Sequence, residues 1–164
     1  MAKTLLLLRH AKSSYDDATL ADLERPLNRR GKKAAARMGR LLRDEGLVAD
    51  RIISSTAVRA RATARAVAQA CGFAGDVSLC HELYLAPPAR HIEVLSRVQR
   101  DPASVLVVGH NPGIQQLLAA LTGLDEVMPT AALAVVSLPI ARWEELESST
   151  VGTMVRLWRP RELA

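Results

Sequence analysis

Hydrophobic and polar positions alternate along the chain in blocks whose length and period change from one to the next. Residues 4–8 form a continuous apolar run of strand length, four of them leucines, which suits a strand covered on both faces. Residues 28–45 carry Ala34, Met38, Leu41 and Leu42 on one side of a helix, with Gly46 as its stop. Residues 51–54 read as a short strand, followed by a Ser/Thr-led helix to Cys71 with Val58, Ala62 and Val67 inward. Residues 77–79 predict another strand, and Ile92, Leu95 and Val98 mark a helix. Residues 104–108 predict a second buried strand. Asn111 as cap and Pro112 at the first helical position then open a helix with Ile114, Leu117, Leu118 and Leu121 inward. Two last strands fall at 133–138 and 153–158. Strands alternating with helices predict a three-layer α/β/α fold around a mostly parallel sheet.

Composition adds bounds to that picture. A chain of 164 residues, 49% hydrophobic and 24% charged, is expected to be one domain over residues 1–164, with no repeat or linker to divide it. Its longest apolar runs fall short of the roughly 20 residues of a membrane span. The N-terminus has neither the apolar length nor the cleavage site of a secretion signal, so a cytoplasmic protein with reduced thiols at Cys71 and Cys80 is expected. The net charge of +5 and a basic cluster from Arg25 to Arg43 raise the question of nucleic acid. Aromatic content of 3% leaves little for base stacking, and no groove-reading motif is present, so a nucleic-acid partner is not expected. A basic surface also attracts anionic substrates.

Two segments end alike. Residues 5–10 read LLLLRH and residues 105–110 read VLVVGH, so His10 and His110 each follow a buried strand. Ligands of open α/β sheets bind beyond the carboxyl ends of strands, which puts both imidazoles on one rim. A histidine after a strand is often only a loop or capping residue. Two in matching positions, one beside Arg9, point instead to a site. Neither has an HxxxH, CxxC or carboxylate pair nearby, so no metal is expected. Within SSTAVRARATA (residues 54–64), Arg59 and Thr63 share a helix face near the helix start, while Arg61 lies about 200° around it. Arg9, Arg59, His110 and the N-terminus of the helix after Asn111 would then surround a small dianion, for which phosphate is the natural fit.

Arg9-His10-Ala11, residues 54–64 and Gly109-His110-Asn111-Pro112 resemble the three signatures of the histidine phosphatase superfamily. ERPLNRRG (24–31) and PTAALAVVSL (129–138) further resemble its short SixA-type phosphohistidine phosphatase branch. The resemblance implies a phosphoglycerate mutase-like mixed sheet between helices and catalysis without cofactor or metal. It implies His10 as nucleophile, Arg9 and Arg59 as phosphate clamps, and His110 as the second histidine of the pocket. Arg25 matches a recurrent position of the branch and is either a rim residue or a loop arginine paired with Asp22 or Glu24. Glu82 stands where many relatives carry a proton donor, and is that or a solvated loop glutamate. Ser13 is a phosphate donor or a turn residue. Ala11 departs from the glycine usual after Arg-His, and Asp16 replaces an asparagine of some relatives, where it is expected to turn away. His81 and His91 are expected at the surface, and Trp143 and Trp158 as packing anchors.

The implied activity is hydrolysis of phosphohistidine on a phosphotransfer or signalling protein, through a covalent phosphohistidine on His10, with inorganic phosphate as product. The alternative is a phosphomonoesterase for a small metabolite or phosphoserine at the same site. A phosphate-binding module without turnover is the third reading.

Overall fold

The computed structural model describes residues 2–163. Its sheet is built from β1 (Lys3–Arg9), β2 (Arg51–Ser54), β3 (Ser78–Leu79), β4 (Ser104–Gly109), β5 (Leu133–Leu138) and β6 (Thr153–Trp158), in the order β3-β2-β4-β1-β5-β6. The first four strands of that order run parallel; β5 is antiparallel to β1, and β6 to β5. Four helices cover it: α1 (Arg29–Asp44), α2 (Val58–Cys71), α3 (Pro88–Ser96) and α4 (Gly113–Thr122).

The leucine run shows why the sheet is central. Leu5 and Leu7 point to one face, in a core with Ile92 and Leu95 of α3 and Ile114, Leu117, Leu118 and Leu121 of α4. Leu6 and Leu8 point to the other, against Ala35, Met38 and Leu42 of α1 and Ala60, Ala64 and Val67 of α2. All four are at most 1% exposed. Side chains of a strand alternate faces, so covering both faces requires an unbroken apolar run. Helices α1 and α2 approach closely at Gly39, where a Cβ would sit 2.7 Å from the Val67 carbonyl oxygen. Among the described residues no helix is long and apolar enough to cross a membrane.

Several local expectations need correction. The buried stripe of α1 is Gly31, Ala35, Met38, Gly39 and Leu42, with Ala34 and Leu41 half-buried. Helix α2 has no side-chain cap from Ser or Thr. Ala57 holds the cap position, and Ser55 Oγ accepts from its N–H at 3.2 Å. Val58 and Ala62 are half-buried, since α2 turns Arg59, Ala60, Thr63 and Ala64 inward instead. Asn111 does not cap α4: the Asn111–Pro112 bond is cis, Pro112 takes the cap position, and Asn111 Nδ2 donates to the Met128 carbonyl at 3.0 Å. His91 is fully buried, not at the surface. It occupies the space left by Gly109 and Gly113, donating from Nδ1 to the Pro87 carbonyl at 3.0 Å, while Nε2 has no partner.

Candidate active site

The two strand-end histidines meet because β1 and β4 pair in register. Arg9 lies opposite Gly109, and the His10 N–H donates to the Gly109 carbonyl at 3.0 Å. The ring centroids of His10 and His110 are 5.2 Å apart. His10 Nδ1 lies 2.7 Å from the carbonyl oxygen of Ala11, which can only accept, so the proton sits on Nδ1 and Nε2 keeps its lone pair. The Ala11 N–H donates to Thr63 Oγ1 at 3.0 Å, and that hydroxyl donates to the Arg59 carbonyl at 2.7 Å. This chain ties the tautomer of His10 to the first turns of α2. The methyl of Ala11 is buried in the core under α1 and α2, so its replacement of glycine crowds no ligand.

Both imidazoles are held neutral. Burial lowers the pKa of His10 to about 4, reinforced by the charges of Arg59, Arg9 and Arg25 and opposed by the bond to Ala11. Burial also lowers His110 to about 3, with His10 and Arg59 adding to it. His110 is anchored by Ser55, 2.8 Å from its Nε2, and Arg59 approaches its Nδ1 at 3.4 Å. An arginine only donates, so Nδ1 accepts and Nε2–H faces Ser55 Oγ.

The arginines enter from different elements. Arg9 donates to the Met128 carbonyl at 3.1 Å. Arg59 is 3% exposed and grips Asp22 twice, at the backbone oxygen (2.7 Å) and at Oδ2 (2.9 Å). Each retains a buried Nε–H with no acceptor. A buried charged donor left unpaired is costly, and an anion drawn between the two guanidiniums would offset that cost. Arg25 fulfils both of its readings: it donates to Asp22 Oδ1 at 3.1 Å from Nη2, and to Ser13 Oγ at 2.6 Å from Nη1 while facing the cavity.

A cavity of about 410 Å³ opens here, with Arg9, His10, Ser13, Arg25, Arg59 and His110 all in its wall. Six of the seven residues expected at the site therefore converge. Glu82 does not. It sits outside the cavity, paired with Arg90 (3.2 Å) and Arg97 (2.9 Å), and hydrogen bonds from these two hold its carboxyl below the usual range. Pairing with two arginines favours the charged form of that carboxyl. Asp16 is exposed and away from the cavity, as expected. The first turn of α4 is not in the wall either: the Ile114 N–H is committed to the His110 carbonyl at 2.8 Å, and Pro112 has none.

Residues 5–84 match the model of the histidine phosphatase superfamily, branch 1. An uncharacterised protein of Mycobacterium tuberculosis is 35% identical over 151 residues, which cover 85% of this chain and 92% of that one. The chain belongs to the histidine phosphatase superfamily. Among solved structures, a candidate phosphohistidine phosphatase SixA of Agrobacterium tumefaciens superposes with a TM-score of 0.82 at 28% identity, covering 96% of this chain and 98% of that one. The protein histidine phosphatase SixA complexed with tungstate shares the fold, with a TM-score of 0.83 at 24% identity over 98% and 99% of the two chains.

Within this superfamily member, three residues that shape the site escaped the sequence reading. Asp22 was considered only as a surface partner of Arg25, yet it anchors Arg59. Tyr84 donates its hydroxyl to Asp22 Oδ2 and lays its ring edge-on to His110, with centroids 5.5 Å apart. That hydroxyl is the main cause lowering the Asp22 pKa to about 2. Ser55 is buried behind His110. The Arg25–Asp22 spacing of three was the one signal available; Tyr84 and Ser55 gave none.

Proposed function

We propose that this member of the superfamily is a phosphohistidine phosphatase, with His10 as nucleophile and a phosphorylated protein as substrate. His10 Nε2 attacks phosphorus in line while the N–P bond to the substrate imidazole breaks; the phosphoryl group is then carried on His10. Water then attacks phosphorus as the His10 Nε2–P bond breaks; its protons leave with the inorganic phosphate, and His10 returns with Nδ1 still protonated. Arg9, Arg59 and His110 line the space the transferring group would occupy, where positioning and charge provide most of the catalysis.

The observation that carries the choice of substrate is the acid–base make-up of the cavity wall. No carboxyl lines it among the described residues, and its two imidazoles are neutral with pKa values of about 3 and 4. An alcohol leaving group needs a proton donor. A phosphorylated imidazole can be protonated by solvent on its second ring nitrogen, as an imidazole is at pH ~6.5. It then leaves as neutral imidazole without a donor from the protein. The rim supports a protein substrate. Tyr15 (77% exposed, with Arg25 stacked on it at 4.0 Å) and Leu85 (55% exposed) flank the polar pocket with apolar surface suited to another protein. The free thiols of Cys71 and Cys80 fit a reducing, cytoplasmic setting.

A panel of a phosphohistidine-bearing phosphotransfer domain, a phosphoserine peptide and p-nitrophenyl phosphate tests the reading, with His10→Ala as control. The expected result is a preference for the phosphoramidate and no turnover in His10→Ala. Full activity of that variant, or a preference for the alkyl ester, refutes it.

A further inference from the structure

The catalytic cavity does not end at its own wall. Lys12, Pro129 and Thr130 also line a second cavity of about 310 Å³, which includes Arg30 and Arg161. Arg30, Ala34 and Pro160 carry that cavity into a third along α1, with Lys33, Arg37 and Arg40. Arg37 and Arg40 lead on to a fourth, lined among the described residues by one carboxylate, Asp44, which is paired with Arg43 at 3.1 Å. The stretch of α1 from Arg30 to Arg40 alone covers about 15 Å, well beyond the reach of a small phosphoester lodged at His10.

The charge along this path is one-sided. Among the described residues six cations, Lys12, Arg30, Lys33, Arg37, Arg40 and Arg161, face it, against one carboxylate at the far end. Lys12, Arg30, Lys33, Arg40 and Arg161 make no side-chain ion pair among the described residues, so no carboxylate of this chain neutralises them there. A row of like charges raises the energy of the free protein and is relieved by an opposite surface. No aromatic side chain lines the three outer cavities, so stacked bases have no platform there. The floor is small and apolar at Ala34, Ala36 and Pro160, which suits the close approach of a folded surface.

We propose that this groove along α1 is the docking surface for an acidic protein whose phosphorylated side chain enters the cavity at His10. The proposal rests on the protein-phosphatase reading and names the partner's chemistry: a carboxylate-rich face beside the phosphorylated residue, long enough to lie along α1. Docking then sets KM, while the cavity sets kcat.

The test is the double charge reversal Lys33→Glu/Arg40→Glu, on exposed positions of α1 outside the catalytic cavity. The probe is a histidine-containing phosphotransfer domain of net negative charge, phosphorylated with phosphoramidate, and p-nitrophenyl phosphate is the control. The variant is expected to raise KM for the protein about tenfold or more with kcat held, to leave the small ester within about twofold, and to lose most of the wild type's salt dependence. Calorimetric binding of the unphosphorylated domain should weaken in parallel. Equal KM and equal binding in the two proteins would overturn the proposal. So would tighter wild-type binding of a mixed-sequence single-stranded RNA than of the domain, lost on charge reversal. If the domain binds and charge reversal abolishes binding, yet its phosphohistidine is never turned over, the groove stands and the assigned reaction falls.

Discussion

Acidification gives a direct physical test of the two buried imidazoles. Both are neutral in the folded protein, with pKa values lowered from 6.5 to about 4 (His10) and about 3 (His110), and both return to ordinary values when the chain unfolds. A histidine with a lowered folded pKa stabilises the fold fully above its unfolded pKa and progressively less as pH falls from there through the folded value. At about pH 5 the unfolded chain therefore binds close to two more protons than the folded one, a slope of about 2.5 kcal/mol per pH unit. Integrated from about pH 7.5 to about pH 5, the two residues remove roughly 4 kcal/mol, a large share of the ~5–15 kcal/mol of a typical domain. His91, buried and lowered in the same direction, adds to this. The lowered pKa of Asp22 matters only below about pH 4 and leaves the window clear. Urea unfolding at a series of pH values measures the slope. Turnover gives an independent reading: kcat/KM, once corrected for the separately titrated ionisation of the substrate, should hold on the acid side until His10 itself is protonated near pH 4, not near 6.5. Stability that stays flat between about pH 7.5 and 5, or an acid limb of kcat/KM near 6.5, would show the imidazoles to be solvated and the argument from burial to be mistaken.

Three substitutions probe other links. Ser55→Ala removes the acceptor of His110 Nε2–H; a buried donor left unpaired costs about 1–3 kcal/mol, or about fivefold to 150-fold in kcat/KM if felt wholly in the transition state. Unchanged kinetics would mean that Ser55 does not orient the ring. Glu82→Gln should leave turnover within about twofold on phosphoramidate and ester alike, whereas a loss of about a hundredfold would make it the proton donor after all. Gly31→Ala would place a Cβ 2.1 Å from the Lys12 carbonyl oxygen, a contact that main chain cannot yield cheaply. It should lower the urea midpoint by the equivalent of ~1–3 kcal/mol, and a shift below about 0.5 kcal/mol would show that the Lys12 turn is free to move.

Much of this was legible because it depends on period and position along the chain. The leucine run announced a strand covered on both faces, and the matched endings LLLLRH and VLVVGH announced two imidazoles on one rim, since parallel strands in register bring their ends together. Arg59 was legible as a rim arginine near the start of a helix, though the inward stripe of that helix was placed on Val58, Ala62 and Val67 instead. The misses are those that need tertiary context. Asn111 had the composition of a cap, but its amide is drawn to Met128, a segment 17 residues away. His91 looked polar enough for the surface; only the two glycines packed beside it, on β4 and α4, leave room to bury it. Glu82 was placed correctly along the chain, and its fate was decided by Arg90 and Arg97 on and just beyond α3, whose facing positions no spacing rule reveals.

The floor and the walls of the site come from different parts of the architecture. The floor is the joined ends of β1 and β4, fixed by the six-residue register from Thr4↔Ser104 to Arg9↔Gly109. The walls are surface connections, which contribute Ser13, Arg25, Leu85, Pro129 and Thr130 to the cavity lining. Reaction and selectivity are therefore separately heritable: exchanging a wall can redirect which molecule is admitted while the bond-breaking apparatus passes on intact, much as a tool keeps its shank when the bit is changed.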